Sequence, residues 1–405
     1  MIILGAGPAG LLLANALQQA GVDCLVAERR SREHIENRAR GGAVEHRTVL
    51  ALERFGLAAG LRAHGSVHDG CEFRTEEGAF LVPCAEYTGG IGHVVYPQQL
   101  LVRDLVEAYL ARGGKLLFQT EAESVTAHGD ESATVILRSS AGRSEHRCAV
   151  VAGCDGRHGA ARMGWPGSDS TRSYPYRWLT LLAEAPASAP RLVYALHRDG
   201  FAGQMPRTRH QTRYYLQYRA EDRPLDWSDE HVWDRLRTRL STTGSAPVIP
   251  GRIVQRGLLT MDIRVTAPMQ HGPLYLAGDA AHSVPPAGGK GLNLAIADAV
   301  ELADAIVARF RRADGGRRLA EYSNTRLAPL WEALAFTDWL LYTINAPLDL
   351  PPGQAAFEHR LRTARLRALR DSPVLASWFA HAYVGAPVNS RSPRDPADAP
   401  SGAQW

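Results

Sequence analysis

Three groups of glycines and carboxylates in this chain have the spacing needed to hold a large anionic ligand. Gly5-Ala6-Gly7-Pro8-Ala9-Gly10 follows the apolar run Met1 to Leu4, and Glu28 follows the strand-like run Asp23 to Ala27. In that order Gly5 permits a tight turn, Gly7 lets the backbone approach a pyrophosphate, Gly10 lets helix pack on strand, and Glu28 accepts hydrogen bonds from a ribose diol. The pattern predicts a dinucleotide site without choosing between FAD and NAD. The second group, Gly153-Cys154-Asp155-Gly156-Arg157-His158-Gly159, ends the apolar run Ala149 to Ala152. Ligands of open α/β sheets collect at such strand ends, although Asp155 reads equally well as a plain turn residue. The third, Leu276 to Ala295, joins a buried strand to Gly278-Asp279, the rigid corner Pro285-Pro286, a glycine run and a helix start near Leu292-Asn293. Free N–H donors and a partial positive charge at that start suit an anionic or electron-rich group. The same stretch also reads as an ordinary strand–turn–helix connection.

Arg29, Arg30, Arg32, Arg38, Arg40 and Arg47 surround Gly41-Gly42. Such a basic, glycine-bearing segment either lines a phosphate-rich site or forms a solvated loop. Arg207, Arg209 and Arg213 are assigned to a polar loop, where a guanidinium can take a carboxylate by a two-point contact. The two-residue period of Leu192-Val193-Tyr194-Ala195-Leu196 sets Tyr194 on the leucine face, toward a core or an apolar pocket. Tyr215 shares its face with Arg213 and Gln217 and is the more polar position. His68 and Gln98, taken alone, carry no functional signal.

Periodicity gives the elements that must position these residues. Helices are expected over Leu11 to Gly21, Glu45 to Phe55, Leu100 to Arg112, Leu292 to Phe310, Leu319 to Ile344 and Ala355 to Arg370. Lys115 to Thr120, Ala122 to His128, Ala133 to Ser139 and Glu145 to Ala149 are expected to form a small antiparallel layer. From about Arg172, short strands separated by turns predict a mostly antiparallel domain inserted before the chain returns at Pro273. The resulting division is a nucleotide-binding domain over 1–165 with a return segment at 262–318, an inserted β-sheet substrate domain over 166–261, a C-terminal helical region over 319–387, and a tail, 388–405, rich in Ser, Pro, Asp and Ala and expected to be disordered.

With 405 residues, 45% hydrophobic and 22% charged, the chain is long enough for two or three domains and ordinary in composition. Its net charge of +4 comes from scattered arginines, which argues against a nucleic-acid surface. Five cysteines without a Cys-x-x-Cys pair argue against a zinc site and a disulfide framework and fit a reducing cytoplasm. The apolar N-terminal run lacks a basic start and is broken by glycine and proline, so it is not read as a signal peptide. No run approaches the roughly 18 apolar residues of a membrane span.

Taken in order, GAGPAG at Gly5, CDG at Cys154 and GDAAHSVPP at Gly278 resemble the flavoprotein aromatic hydroxylases, the class A FAD monooxygenases, and most of all their 4-hydroxybenzoate hydroxylase branch. The resemblance runs from Met1 to about Pro387 and is carried also by RARGG, VHDG, AGCDGRHG, PMQHGPLYLAGDAAHSVPPAGGKGLNLA and YVGAP. It implies an α/β fold with a glutathione-reductase-type FAD-binding domain, an inserted antiparallel substrate domain and C-terminal helices. It implies FAD as cofactor, NADPH or NADH as co-substrate, and O₂ and a small aromatic acid as reactants, the oxygen reaching the ring from a flavin C4a-hydroperoxide. A cytoplasmic enzyme follows, free of membrane and nucleic acid, with a homodimer left open.

The resemblance also assigns residues. Gly5, Gly7, Ala9, Gly10, Glu28, Arg29, Arg38, Arg40, Gln98, Asp155, Asp279, Leu292 and Asn293 would lie along the FAD, with Glu28 on the adenosine ribose and Asp279 on the ribityl chain. The nicotinamide would bind transiently near His34 and His158. Tyr194 matches the tyrosine that hydrogen-bonds a substrate phenol, Tyr383 its relay partner, His68 the solvent end of that proton path, and the Pro286 carbonyl the backbone acceptor beside the phenol. Arg207 and Tyr215 match the clamp on a substrate carboxylate, with Ala287 lining the pocket. Three positions depart from the family pattern. Met205 replaces a serine donor, Gly203 replaces a leucine and is expected to open space, and Asp262 replaces an arginine that favours NADPH. A 4-hydroxybenzoate skeleton with an added substituent, such as 3-amino-4-hydroxybenzoate, is the expected substrate, with plain 4-hydroxybenzoate the alternative. A halogenase or reductase of the same fold lacks support because no Trp-x-Trp-x-Ile-Pro element is present. A non-catalytic flavin-binding protein is a further rival reading.

Overall fold

The computed structural model describes residues 1–38, 40–312 and 315–387; the tail from Val388 to Trp405 that the sequence marks for disorder lies outside the described residues. The first apolar run forms strand Ile2–Leu4, flanked in parallel by Val151–Gly153 and Leu25–Ala27. Leu274–Leu276 and Lys115–Leu117 extend this sheet in parallel, and Gln270–His271 closes one edge antiparallel. Leu4 pairs with Gly153 and Gly153 with Leu276. The three glycine and carboxylate groups, distant in sequence, therefore leave the sheet side by side at the carboxyl ends of adjacent strands, where open α/β sheets bind their ligands.

Helix Pro8–Gln19 starts on a proline, whose fixed φ and missing N–H suit a first turn. Its Leu11, Leu12, Leu13 and Leu17 are fully buried, each worth about 1.5–3 kcal/mol of transfer free energy. The helix packs against Gln98–Ala111 and Lys290–Phe310.

Lys115 to Thr120 departs from expectation. Instead of joining the antiparallel layer, Lys115–Leu117 pairs in parallel with Leu25–Ala27, because the chain reaches it through the Gln98–Ala111 crossover helix. Local alternation cannot name a strand's partner. The antiparallel layer has three strands, Glu121–His128, Ser132–Ser139 and Gly142–Cys148.

The second large sheet has eight strands in the order His282–Ser283, Arg252–Ala267, Ser168–Glu184, Gln211–Tyr218, Ala202–Thr208, Leu192–Ala195, Cys71–Thr75 and Gly78–Val82. All neighbours are antiparallel except Leu192–Ala195 with Cys71–Thr75. Arg207 lies on a strand of this sheet, not in a polar loop, while Arg213 lies on the strand it was expected to open; the turn between them is reduced to the Thr208–Gln211 pair. Helix Asp229–Leu240, not expected from the sequence, is capped by the Ser228 hydroxyl, which accepts the His231 N–H at 3.1 Å. Its acids in the first turn and arginines in the last match the helix dipole. Tyr322–Ile344, Pro352–Asp371 and Pro373–Val384 form the C-terminal helices. No helix among the described residues is long and apolar enough to cross a membrane.

Candidate active site and cofactor cleft

A cleft of about 890 Å³ is lined both by the loops at the end of the parallel sheet and by residues of the eight-stranded sheet. Gly5, at φ +96°, has no room for a side chain, since a Cβ there would lie 2.5 Å from the Cys154 carbonyl oxygen. A Cβ on Gly10 would strike the Gly5 carbonyl, whereas one on Gly7 would meet nothing within 4 Å. Two glycines are thus consumed by chain packing, and the third leaves the start of Pro8–Gln19 open to a ligand. Glu28 lines the cleft and braces the loop: its Oε2 accepts the Ala6 N–H and its Oε1 the Arg30 N–H, each at 2.8 Å.

Asp155 accepts the Ala161 N–H through Oδ2 at 3.1 Å, while its buried Oδ1 has no partner. Burial pushes its carboxyl up to about 6 against the opposing pull of backbone N–H groups and Arg29. A buried, unpaired carboxylate oxygen beside an open glycine loop calls for a ligand hydroxyl or N–H. Asp279 follows Gly278, which is held at φ +61° between Ala9 and Ala295. The turn is anchored from behind by Asp298, which accepts the Gly278 N–H at 2.9 Å and bonds His282 at 2.6 Å and Arg326 at 2.8 Å. Ala9, Arg29, Arg38, Arg40, Gln98, Leu292, His34 and His158 also line the cleft. The donor set, with an acid and a glycine loop at one end, arginines along the wall and Asp155 and Asp279 further on, fits an FAD.

The other half of the cleft is built on one row across the eight-stranded sheet. Phe73 pairs with Tyr194, Tyr194 with Gly203, and Gly203 with Tyr215, so these side chains share a face. Tyr194 is buried with Leu196 as its neighbour in the core, as the two-residue period predicted. Its hydroxyl meets that of Tyr383, on Pro373–Val384, and the main chain of Gly288. Burial drives both phenols above their ordinary range, and each acts on the other through a hydrogen-bond interaction. Met205 and Arg207 continue the Gly203 face. Arg207 is buried, donates from Nη2 to the Arg40 carbonyl, and leaves Nη1 buried without a partner against Gly42. Burial, and then Arg213, lower its guanidinium to about 10. Pro286 faces the cleft, and its carbonyl accepts the Gly289 N–H at 3.0 Å with a lone pair to spare.

Four expected residues stand behind the cleft wall, not on it: Gly10, His68, Arg207 and Asn293. Asn293 is the clearest correction. Its Oδ1 accepts from the Glu45 N–H and the Thr48 hydroxyl, and its Nδ2 donates to Ala43 and Gly289, so the amide ties the Lys290–Phe310 helix to its neighbours. Gly203 also departs from expectation. A Cβ there would lie 2.8 Å from Phe201 Cζ, so the absent leucine is answered by an aromatic wall, with Phe201 and Trp178 ring centroids 4.4 Å apart. Phe201, Trp178 and His93, all on the cleft lining, and the buried Lys290 are not singled out by any sequence motif. Lys290 Nζ pairs with Glu45 at 2.5 Å and reaches the carbonyl of Tyr383 at 3.3 Å. No local pattern marks His93, and strand pairing alone gives it meaning.

Fold and cleft together define a flavoprotein whose dinucleotide site opens onto an aromatic-walled pocket. The description of an FAD binding domain matches residues 1–337, and the chain belongs to that family. It is 33% identical over 395 residues, 96% of each chain, to p-hydroxybenzoate hydroxylase of Acinetobacter baylyi. It is 28% identical over 323 residues, 75% of this chain and 61% of the other, to 12-dehydrotetracycline 5-monooxygenase/anhydrotetracycline 6-monooxygenase of Streptomyces rimosus. Among solved structures, p-nitrophenol 4-monooxygenase from Pseudomonas putida superposes with a TM-score of 0.78 at 22% identity, covering 96% of this chain and 98% of that one. Aklavinone-11 hydroxylase in complex with FAD and aklavinone shares the fold at a TM-score of 0.72 and 22% identity, covering 85% and 69%. The protein is an FAD-dependent aromatic monooxygenase of the p-hydroxybenzoate hydroxylase type, a class that uses NAD(P)H as co-substrate.

Proposed function

We propose that the protein hydroxylates the ring of a 4-hydroxybenzoate-type acid, with a ring substituted beside the phenol, such as 3-amino-4-hydroxybenzoate, as the preferred substrate. The observation that carries this reading is the pairing of a buried Tyr194–Tyr383 hydroxyl couple with a buried guanidinium, Arg207, whose Nη1 has no protein partner. One end of the pocket takes a phenol and the other a carboxylate. Bound FAD, reduced by NAD(P)H, would supply the chemistry that activates O₂ for transfer of one oxygen atom to the ring.

The chain's own residues do the rest. Tyr215 on the cleft wall, and Arg207 from just behind it through its unpartnered Nη1, hold the carboxylate and fix the ring's position. Tyr194 accepts the phenolic proton's hydrogen bond and passes the proton toward Tyr383, because a phenol near its ordinary value of about 10 is a poor ring donor at neutral pH and its phenolate a good one. The spare lone pair of the Pro286 carbonyl is the alternative acceptor for that same O–H, in the orientation that precedes transfer to Tyr194. Trp178, Phe201 and Ala287 exclude water. His34, His158 and the cleft arginines offer the nicotinamide a surface site, and Asp262 in place of a cation leaves the 2′-phosphate of NADPH without one partner there. Support for a substituted ring comes from the small walls at Ala43 and Ala287 and from Met205, which cannot donate to the carboxylate.

A panel of 4-hydroxybenzoates with and without a 3-substituent, scored for NAD(P)H oxidation together with product mass and ring position, tests this reading. Substituted acids should give more hydroxylated product per NAD(P)H consumed. More efficient turnover of unsubstituted 4-hydroxybenzoate would overturn the substituent preference, and failure of every para-hydroxy acid would overturn the substrate class.

A further inference from the structure

His93 stands at a junction that the relay residues leave open. It belongs to strand His93–Val95, where it pairs directly with His68 of the antiparallel strand Ser66–His68. Directly opposed residues point their side chains to the same face, with Cβ atoms about 4.5–5.5 Å apart. On its other side the imidazole meets the Tyr383 ring edge-on, with centroids 4.7 Å apart. It lines the cleft, is buried, and its Nε2 has no hydrogen-bond partner. Against it pack His68, Tyr383, and Lys290 with its partner Glu45; beyond His68 lie Asp69 and Arg191.

We propose that His93 is a proton-relay residue between Tyr383 and His68, so that the path out of the pocket runs Tyr194, Tyr383, His93, His68. This rests on the reading that the substrate binds as a phenol and is ionised in place. At each hop one O–H or N–H bond breaks and one forms: the substrate's proton goes to Tyr194, that of Tyr194 to Tyr383, and that of Tyr383 to one ring nitrogen of His93. His93 gives up the proton on its other nitrogen to His68, which releases one to solvent. No electron moves, and the net change is loss of one proton by the substrate. A neutral imidazole suits this task because it accepts at one nitrogen while donating at the other. Burial, then Lys290, then His68 hold His93 down to about 3, so it passes a proton without storing one. His68 is likewise lowered by burial, with Asp69 opposing.

The test uses FAD-loaded enzyme mixed rapidly with 3-amino-4-hydroxybenzoate or 4-hydroxybenzoate in lightly buffered solution. Proton release is followed with an indicator dye, and ligand ionisation by its ultraviolet absorbance. His93→Ala should slow release by about a hundredfold or more, the lower end of what a positioned acid–base group contributes, with ligand affinity within about threefold of the parent. Added imidazole should restore the rate in His93→Ala. His93→Gln, which fills the volume without relaying, should stay slow whether or not imidazole is present. Release at the parental rate in both variants, slow release without imidazole rescue, or loss of FAD by both variants would overturn the proposal and leave His93 a packing residue. If the parent enzyme itself never ionises the ligand, the underlying phenolate reading fails, and the relay with it.

Discussion

Arg207 offers a perturbation in which stability and binding should move in opposite directions. Arg207 is 6% exposed, and its guanidinium is ion-paired with no carboxylate and leaves Nη1 unpaired. Lowering it from 12.5 to about 10 corresponds, at about 1.4 kcal/mol per tenfold change, to a cost on the order of 3 kcal/mol for keeping it charged in the folded protein. The sign follows from its basic character. A base whose folded value lies below its unfolded one destabilises the fold at every pH below about 10, and the cost fades only as pH rises from there toward 12.5. Arg207→Met keeps the aliphatic stem and removes the charge. The lost bond to the Arg40 carbonyl takes back part of the gain, leaving about 1–2 kcal/mol of net stabilisation and a Tm raised by a few degrees in the substrate-free enzyme. A hydroxybenzoate carboxylate that satisfies the buried guanidinium gains a charge-assisted contact of about 1.5–3 kcal/mol. The variant should therefore bind 4-hydroxybenzoate about 10- to 100-fold more weakly, while a phenol lacking the carboxylate binds as to the parent. Calorimetric melting and flavin-absorbance titration measure the two halves. A variant that melts lower than the parent and still binds 4-hydroxybenzoate within about threefold would refute the reasoning, because Arg207 would then be a structural arginine.

Tyr194→Phe should retain FAD and lower hydroxylated product by about tenfold or more while ligand-stimulated flavin reduction changes less; equal loss in both single-turnover measurements would count against the phenolate role. Asp298→Asn should cost about 3–5 kcal/mol, because it leaves His282 and Arg326 facing a buried neutral amide, and should weaken FAD retention through the Gly278 turn. Burial alone would raise the Asp298 carboxyl, but His282 and Arg326 hold it below its ordinary range. Its stabilising contribution is thus present above about pH 4 and is lost as pH falls below that. Melting curves of parent and Asp298→Asn should converge as the pH is lowered, and a constant gap would argue against the ion cluster.

The sequence by itself determined the cofactor half of the molecule. Gly5, Gly7, Gly10 and Glu28 are legible because backbone clashes and the hydrogen bonds that brace a loop act over short spans, so their spacing is written in one stretch of chain. The inward face of Tyr194 was legible for a similar reason, since a strand's period of two needs no partner. Tertiary structure decided what depends on pairing across the chain. Lys115–Leu117 found its place beside Leu25–Ala27 through a crossover helix, and the Asn293 amide was spent on Ala43, Glu45, Thr48 and Gly289. Phe201 closed the space that Gly203 was expected to open. His93 carried no signal until the ladder set it opposite His68 and the Pro373–Val384 helix laid Tyr383 against it. Contacts between residues distant in sequence are fixed by which surfaces pack together, and local periodicity does not encode that choice.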